Sequence, residues 1–265
     1  MSEKTILKQI DARGVATLTL NRPDVHNAFG DELIADLAAA FDEVGQDPDV
    51  RVVILAGAGK SFSAGADLSW MRRMAEYSLD KNIEDAEAFG AMMQTLKSIP
   101  KPTIAKVHGP AYAGAVGLVC ACDIALAARS ARFVISEVKL GLIPAVISPY
   151  IIAAIGERQA RRYVLTAEAI EPEEAQRIGL VHQVAEDEKL DDLVEAAVCH
   201  LLNNSPAALA ESKTLITAVA GRPLDDQLVK ETAEKIAHVR ASVEGKEGVN
   251  SFLEKRKPFW VGGDQ

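Results

Sequence analysis

The chain is poor in cysteine, in basic charge and in long apolar runs. It has three cysteines among 265 residues, 29 lysines and arginines against 38 aspartates and glutamates, and a formal net charge of −9. No apolar segment approaches the roughly 20 residues of a membrane helix, so no membrane span is predicted. The acidic balance makes nucleic acid an unexpected partner, because phosphate backbones are bound through clustered lysine and arginine.

Cysteine and histidine show no spacing that indicates a metal or redox site. Cys120 and Cys122 lie in an apolar run, and Cys199 stands alone. All three are predicted to be small hydrophobic side chains, and no metal is predicted. An odd, sparse set of cysteines fits a reducing compartment, and the first ten residues have no signal-peptide core, so a cytoplasmic location is expected.

What is present indicates a large folded core of mixed α/β class. Hydrophobic residues make up 48% of the chain and charged residues 25%, which is typical of a globular domain. Apolar alternation and short apolar runs predict a hairpin over 5–20 and strands over 51–56, 103–107, 123–128, 133–136 and 180–184. Helical periodicity predicts helices over 31–44, 68–76, 83–98, 150–165, 171–178, 187–203, 206–220 and 224–244. The prediction is a strand–helix core over 1–195 and a helical region over 196–265.

Two glycine-containing stretches follow apolar strand-like runs. They are Ser63-Ala64-Gly65-Ala66-Asp67 and Gly109-Pro110-Ala111-Tyr112-Ala113-Gly114-Ala115. A loop is predicted over 57–66, which includes most of the first stretch, and each stretch leads into a helix-like segment. A turn of this kind leaves backbone N–H groups without partners at a helix start. Two such turns can direct their amides at one oxygen, which is what a thioester enolate needs for stabilisation.

Six stretches, in this order, resemble the crotonase (enoyl-CoA hydratase/isomerase) superfamily. They are 15–23, 62–68, 100–102, 109–123, 136–144 and 252–257. The resemblance covers nearly the whole chain. It implies a crotonase-like spiral of ββα units, followed by a C-terminal α-helical trimerisation region. Family trimers commonly pair into hexamers, so a homotrimer or a dimer of trimers is expected.

The resemblance also implies three catalytic positions. The amides of Ala66 and Gly114 would hold the thioester oxygen of an acyl-CoA substrate, and Glu137 would be the acid/base. The local sequence adds a separate argument for Glu137, which follows the apolar run 133–135 and has only Lys139 as a nearby opposite charge. A carboxyl group at the end of an apolar strand is expected to have a raised pKa, which suits proton transfer.

The second glycine stretch departs from the family pattern. Many hydratases of the family use a second glutamate, and its position falls at Gly117. Glu137 then acts alone, or a group from elsewhere in the chain substitutes. Ala113 and Ala115 stand where the family usually has glycine, so their methyl groups must be accommodated beside the carbonyl site.

The resemblance assigns CoA binding largely to backbone groups. Ala64 would bind the adenine, and the loop that holds Val25, His26 and Ala28 would line the nucleotide. Phe252 and Lys255 would close over CoA, often from a neighbouring subunit, with 255–257 as a basic patch for a phosphate. The predicted CoA-binding residues are Val25, His26, Ala28, Ala64, Phe252 and Lys255. No separate cofactor is expected, because CoA is part of the substrate.

One branch of the family is especially similar, the bacterial methylglutaconyl-CoA and isohexenylglutaconyl-CoA hydratases. The similarity lies in Gly117-Leu118, 136–150, 161–163 and 165–168. Such substrates, from leucine or acyclic terpene breakdown, carry a 3-branch and a free carboxylate. The cation that would meet the carboxylate is one of Lys139, Arg72 and Arg73. Three alternatives remain: an enoyl-CoA isomerase or another enolate-using enzyme, a CoA-ester binder without catalysis, and an RNA-binding relative.

Overall fold

The computed structural model describes residues 4–262. The strands within that range are Ile6–Ile10 (β1), Val15–Leu20 (β2), Val52–Gly57 (β3), Ser63–Ala64 (β4), Thr103–Val107 (β5), Pro110–Tyr112 (β6), Ile124–Ala128 (β7), Arg132–Val134 (β8) and Gln183–Ala185 (β9). The helices are Asp31–Gln46 (α1), Leu68–Met74 (α2), Leu79–Ser98 (α3), Gly114–Ala121 (α4), Ser148–Thr166 (α5), Pro172–Ile178 (α6), Leu190–Leu202 (α7), Pro206–Val219 (α8), Asp226–Ala241 (α9) and Val243–Leu253 (α10).

The larger sheet has six strands in the order β1-β2-β3-β5-β7-β9. The β1–β2 hairpin is antiparallel, as predicted, and the remaining pairs are parallel. Successive side chains of a strand point to opposite faces. On β2, Leu18 therefore packs in the main core, while Val15 and Val52 of β3 join the opposite face with Val194 of α7. Cover on both faces explains why these strands read as continuous apolar runs.

A smaller parallel sheet has the order β4-β6-β8. Each of its strands directly follows a strand of the larger sheet, in the pairs β3–β4, β5–β6 and β7–β8, and helices come after each pair. This alternation is the spiral of ββα units, and the mixed α/β class predicted from the sequence is confirmed.

Two of the small strands were missed by sequence pattern. Ser63–Ala64 and Pro110–Tyr112 were predicted as parts of glycine loops, because two or three residues cannot show the alternation that identifies a strand. The single helix predicted over 224–244 is also wrong in extent. It ends at Ala241, and the Ser242 hydroxyl accepts a hydrogen bond from the Gly245 N–H at 3.0 Å, so a new helix begins.

The C-terminal region consists of α8, α9 and α10, which pack on one another. Helix α7 runs across the predicted boundary at 195, and Leu190, Val194 and Val198 along its length all pack on the larger sheet. The division into 1–195 and 196–265 stays a prediction, and its first and last three residues lie outside the described range.

Candidate active site

The small sheet brings the three predicted catalytic segments to one edge. Ala64 of β4 is paired with Tyr112 of β6, which is paired with Val134 of β8. Because the three strands are parallel, their carboxyl ends lie side by side. The residues that follow those ends are Gly65-Ala66, Ala113-Gly114 and Ile135-Ser136-Glu137.

The peptide unit between Gly65 and Ala66 has a fixed orientation. The Gly65 carbonyl accepts a hydrogen bond from the Phe29 N–H at 2.7 Å, and the Asp67 N–H donates to the Phe29 carbonyl at 2.7 Å. In a trans peptide the C=O and the N–H point in opposite directions, so the Ala66 N–H points away from Phe29. It donates no hydrogen bond to any group within residues 4–262. Gly65 has φ +90, a conformation that favours glycine.

The peptide unit between Ala113 and Gly114 is held in a similar way. The Ala113 carbonyl accepts from the Val116 N–H at 2.9 Å, and the Ala113 N–H donates to the Val134 carbonyl at 2.8 Å. The Gly114 N–H, at the first residue of α4, therefore points out of the helix, and no acceptor for it is found in the described part of the chain. A Cβ at Gly114 would lie 2.9 Å from Cζ of Phe89, so any larger residue would force the Phe89 ring to move.

Ala113 occupies a backbone conformation that L-residues rarely adopt, with φ 50 and ψ −120. Such a conformation costs on the order of 1–3 kcal/mol and persists only where its surroundings enforce it. The Ala113 Cβ lies 3.9 Å from where a Cβ on Gly65 would be. The methyl group is thus accommodated between the two glycine turns, beside a residue that has no side chain.

Glu137 begins a 3-10 turn, Glu137–Leu140, three residues after β8 ends at Val134. The strand predicted over 133–136 therefore ends two residues earlier than predicted. Its side chain is half-buried, and Oε2 has no hydrogen-bond partner among the residues described. Burial raises the pKa of the Glu137 carboxyl, and hydrogen bonds from the backbone of Glu137 and Ser136 oppose this only in part. The direction predicted from the sequence is confirmed.

The raised pKa has a consequence for stability. Ionising a buried carboxyl costs free energy, so the folded state loses stability as the pH rises through the pKa of Glu137. We expect Glu137→Gln to have a higher melting temperature than the wild type, with a larger gain at pH 8 than at pH 4.5. Thermal unfolding at both pH values measures this. Glu173→Gln, which removes an exposed carboxylate, is the matched control, and an equal gain at both pH values would contradict the expectation.

The position of the missing second carboxylate is filled by apolar atoms. A Cβ at Gly117 would lie 2.7 Å from Cβ of Ile147 and 3.3 Å from Cε of Met93, both of which are buried. These distances leave no room for a longer side chain. The groups that occupy this space are hydrocarbon and cannot transfer protons.

The predicted CoA-binding residues fall into two groups. The Ala64 N–H donates to the His26 carbonyl at 2.9 Å, so Ala64 lies against the loop that holds Val25 and Ala28. The side chain of Phe252 lies on α10, which packs on α8 and α9, and is 81% exposed. Lys255 follows two residues after the end of α10 and is also exposed. No backbone hydrogen bond found within residues 4–262 joins Phe252 or Lys255 to Ala66, Gly114 or Glu137.

Two of the predicted cations are already engaged. Arg73, one of three candidates for a substrate carboxylate, donates to Asp31 at 2.7 Å. Arg256, at the centre of the predicted basic patch, donates to Glu247 and Glu254 at 2.6 Å each. The side chains of Arg72 and Lys139 are exposed. Arg72 and Lys139 are therefore better placed than Arg73 to meet a ligand.

Sequence reasoning missed a buried polar hub beside the first glycine turn. Asn27 is fully buried, and its amide nitrogen donates to the carbonyls of Ala58, Ser61 and Phe62 at 2.9–3.1 Å. Its Oδ1 accepts from the Arg22 N–H at 2.8 Å. The sequence pattern at 21–24 indicates only the end of a strand. The polar Asn27 directly before the apolar pair Ala28-Phe29 is the sequence feature that could have indicated a buried amide.

We also looked for metal-binding clusters and membrane-spanning helices within residues 4–262. Residues 4–262 contain no group of three or more histidine, cysteine, aspartate or glutamate side chains placed to hold a metal ion. None of the helices in that range combines the length and apolarity needed to cross a bilayer.

Comparison with known proteins agrees with this arrangement. The family model described as enoyl-CoA hydratase/isomerase matches residues 11–263. A short-chain-enoyl-CoA hydratase of Clostridium acetobutylicum is 33% identical over 92% of this chain and 92% of its own. A 1,2-epoxyphenylacetyl-CoA isomerase of Escherichia coli is 33% identical over 97% of this chain and 98% of its own. The crystal structure of an enoyl-CoA hydratase from Shewanella pealeana superposes with a TM-score of 0.94 at 41% identity, covering 97% of this chain and 96% of that one. The chain belongs to the enoyl-CoA hydratase/isomerase family of enzymes, with the crotonase fold.

Proposed function

We propose that the chain is a hydratase that adds water to a 3-branched glutaconyl-CoA, either 3-methylglutaconyl-CoA or isohexenylglutaconyl-CoA. Catalysis rests on Glu137 and the amides of Ala66 and Gly114. The observation that carries the proposal is the edge of the small sheet, where three groups follow neighbouring strand ends. They are two amides without acceptors and a buried carboxyl oxygen without a partner among residues 4–262. The thioester oxygen of an acyl-CoA can accept hydrogen bonds from the two amides, and the carboxyl group can transfer a proton to or from the acyl chain.

The proposed reaction uses one carboxylate twice. The Glu137 carboxylate takes a proton from water as the water oxygen bonds to C3, and the C2=C3 electrons move to give an enolate. The Ala66 and Gly114 N–H groups hold the negative thioester oxygen. Protonated Glu137 then returns the proton to C2 on the same face, so addition is syn and the carboxylate is regenerated. Each such amide is typically worth about 10²–10³ in rate, and no separate cofactor takes part.

Binding of CoA is proposed at two surfaces. Val25, Ala28 and Ala64 would line the nucleotide, since Ala64 is hydrogen-bonded to this loop. Phe252 and Lys255 would close over CoA bound in a neighbouring protomer, which suits their exposed placement on a helix that packs within the C-terminal region.

A homotrimer, or a hexamer formed by two trimers, is proposed on the basis of exposed apolar side chains. Three apolar side chains within one four-residue segment are exposed: Leu140 by 59%, Leu142 by 51% and Ile143 by 74%. Contiguous exposed apolar side chains indicate contact with another molecule. The mass in solution, from light scattering, tests this, and a monomer would contradict it. A cytoplasmic location and a role in leucine or acyclic terpene breakdown stay predictions.

The free carboxylate of the proposed substrate requires a cation. Arg72 and Lys139 are exposed, and Lys139 is two residues from Glu137. We expect one of them to raise the affinity for glutaconyl esters over uncharged enoyl esters. We compare KM for the two ester types in the wild type, Arg72→Gln and Lys139→Gln. A rise in KM that is confined to the charged ester would support the assignment.

One observation favours a second candidate, an enoyl-CoA isomerase. The apolar filling of the Gly117 position leaves one carboxyl at the site. Isomerisation needs no activated water: Glu137 would remove a proton from C2 and return it to C4, while the double bond moves from C3–C4 to C2–C3.

Product mass separates the candidates. Purified enzyme is incubated with branched and straight enoyl-CoA esters, and the products are analysed by mass spectrometry, with Glu137→Gln as the parallel control. A gain of one water on the branched glutaconyl esters supports the proposal. A product that has the mass of the substrate but a different chromatographic retention time supports isomerisation. Binding without any product would support a CoA-ester-binding relative, and salt-sensitive RNA binding would support the RNA-binding alternative.

A further inference from the structure

The residue after Ala66 is tied by its side chain to the segment that precedes α1. Arg22 donates from Nη2 to Oδ2 of Asp67 at 2.8 Å and from Nη1 to the Ala28 carbonyl at 2.6 Å. The side chains of Arg22 and Asp67 are only 26% and 12% exposed. An ion pair at this degree of burial is held more firmly than a surface pair, and removing one partner leaves the other charge uncompensated.

The two carboxylate oxygens of Asp67 have separate tasks. Oδ1 accepts from the Ser69 N–H at 2.8 Å and from the Ser69 hydroxyl at 2.6 Å, and thereby caps α2. Oδ2 faces Arg22. The Ser69 hydrogen bond, followed by the Arg22 hydrogen bond, lowers the pKa of Asp67 to about 2 against the opposing effect of burial. Asp67 is therefore ionised at neutral pH, and the pair is intact there.

Arg22 is itself held in place. Its N–H donates to Oδ1 of Asn27, and Asn27 is fully buried. Two residues further along, Phe29 makes the two backbone hydrogen bonds to Gly65 and Asp67 that flank Ala66. The segment 22–30 thus contacts both sides of the Ala66 amide through its backbone and Asp67 through a side chain.

We propose that the Arg22–Asp67 ion pair is a positioning element, which sets the direction of the Ala66 N–H without touching substrate. The backbone bonds to Phe29 hold the residues on both sides of Ala66. The ion pair adds a side-chain tie between Asp67 and the same segment, and it holds the start of α2. If the pair is lost, only the two Phe29 hydrogen bonds hold the Gly65–Ala66 peptide, which can then tilt its N–H away from the position that the thioester oxygen occupies. This inference rests on the proposed role of Ala66 as a donor to that oxygen.

Asp67→Asn tests the inference with little change in shape, because an amide oxygen can still cap α2. We expect kcat to fall about tenfold, a part of the 10²–10³ that loss of a whole donor costs, while KM changes by less than about twofold. Arg22→Gln is expected to match it, and the double variant should be no slower than either single variant. Glu173→Gln, which removes a carboxylate from the exposed ion pair with Arg129, is the control and should retain wild-type kcat.

A spectroscopic measurement distinguishes positioning from a structural role. The thioester carbonyl stretch of a bound, non-hydratable acyl-CoA shifts to lower frequency when two donors polarise it. We expect the wild type and Glu173→Gln to show the full shift and Asp67→Asn a smaller one. The full shift and wild-type kcat in Asp67→Asn would overturn the inference. The absence of a shift in the wild type would instead contradict the proposed role of Ala66.

Arg22→Lys provides a milder variant if the others fold poorly. Lysine keeps the charge beside Asp67 but cannot also reach the Ala28 carbonyl through a second nitrogen. We expect a carbonyl shift and a kcat between those of the wild type and Arg22→Gln, at unchanged KM. A wild-type shift combined with reduced thermal stability would assign the pair a structural role only, and would overturn the inference.

Discussion

Replacing Glu137 with glutamine is expected to lower kcat for the proposed hydration by on the order of 10³-fold or more. Positioned acid–base groups contribute about 10²–10⁴ in rate, and Glu137 would perform both proton transfers. A second group cannot compensate at the position of Gly117, where Ile147 and Met93 fill the space. Initial rates on the best ester of the substrate panel measure the effect.

Binding should survive the same substitution. Glutamine has nearly the shape of glutamate, and the amides of Ala66 and Gly114 are backbone groups that it leaves in place. We expect the Kd for a saturated acyl-CoA, measured by calorimetry, to change by less than about threefold. An active Glu137→Gln enzyme would remove the mechanism, and loss of both binding and fold would leave Glu137 with a structural role.

The pH dependence of kcat/KM in the wild type should also report the ionisation of Glu137. Glu137 must be ionised to take a proton from water, so kcat/KM should fall as the pH drops through its pKa. Because burial raises this pKa above the ordinary value of 4.5, the acidic limb should lie above pH 4.5. A flat profile down to pH 4.5 would contradict the assignment of Glu137 as the base.

Gly117→Glu is expected to destabilise the protein severely. The new side chain would meet Ile147 at once and would bring a carboxylate into a hydrocarbon environment. Overpacking typically costs about 1–3 kcal/mol, and an unpaired buried charge costs several kcal/mol more. A total of about 4 kcal/mol corresponds to a fall in melting temperature of roughly 8–16 °C for a chain of this size class. Differential scanning calorimetry measures the change.

A second substitution shows whether Ile147 is the cause. Ile147→Ala alone should destabilise by about 2–5 kcal/mol, as truncation of a buried isoleucine does. The double variant Gly117→Glu/Ile147→Ala should lose less stability than the sum of the losses in the two single variants. The reason is that the new side chain would enter the space that truncation of Ile147 leaves. Additive losses would contradict this. Gly90→Ala is the matched control, since a Cβ there would meet Val146 Cγ1 at an ordinary 3.9 Å.

The larger elements of the fold were predictable because their patterns are long. The β1–β2 hairpin and helix α1 show clear periodicity, and the structure places them within two residues of the predicted ends. The small sheet was not predictable by pattern. Its strand Ser63–Ala64 has two residues, and what makes it a strand is its pairing with β6, some fifty residues further along the chain.

Some residues of the candidate site could also be predicted from the sequence, and others could not. Glu137 could be singled out from the apolar run before it, and its raised pKa follows from burial. The Arg22–Asp67 pair could not be found, because its partners are far apart in sequence and each belongs to a segment that reads as a turn. The crowding of Gly117 by Ile147 was equally invisible, since it depends on how α4 and the start of α5 pack.

The amino-acid sequence alone determined the residue types that chemistry can use: glycines where the backbone must turn, one carboxyl after an apolar strand, and no side chain at position 117. Only the tertiary structure decided the directions of the Ala66 and Gly114 amides and the filling of the space beside Gly117. The physical reason is that composition and periodicity are local properties. The direction of an N–H, in contrast, is set by the hydrogen bonds of its own peptide unit to Phe29 or Val116, and the former arises only when distant segments pack together.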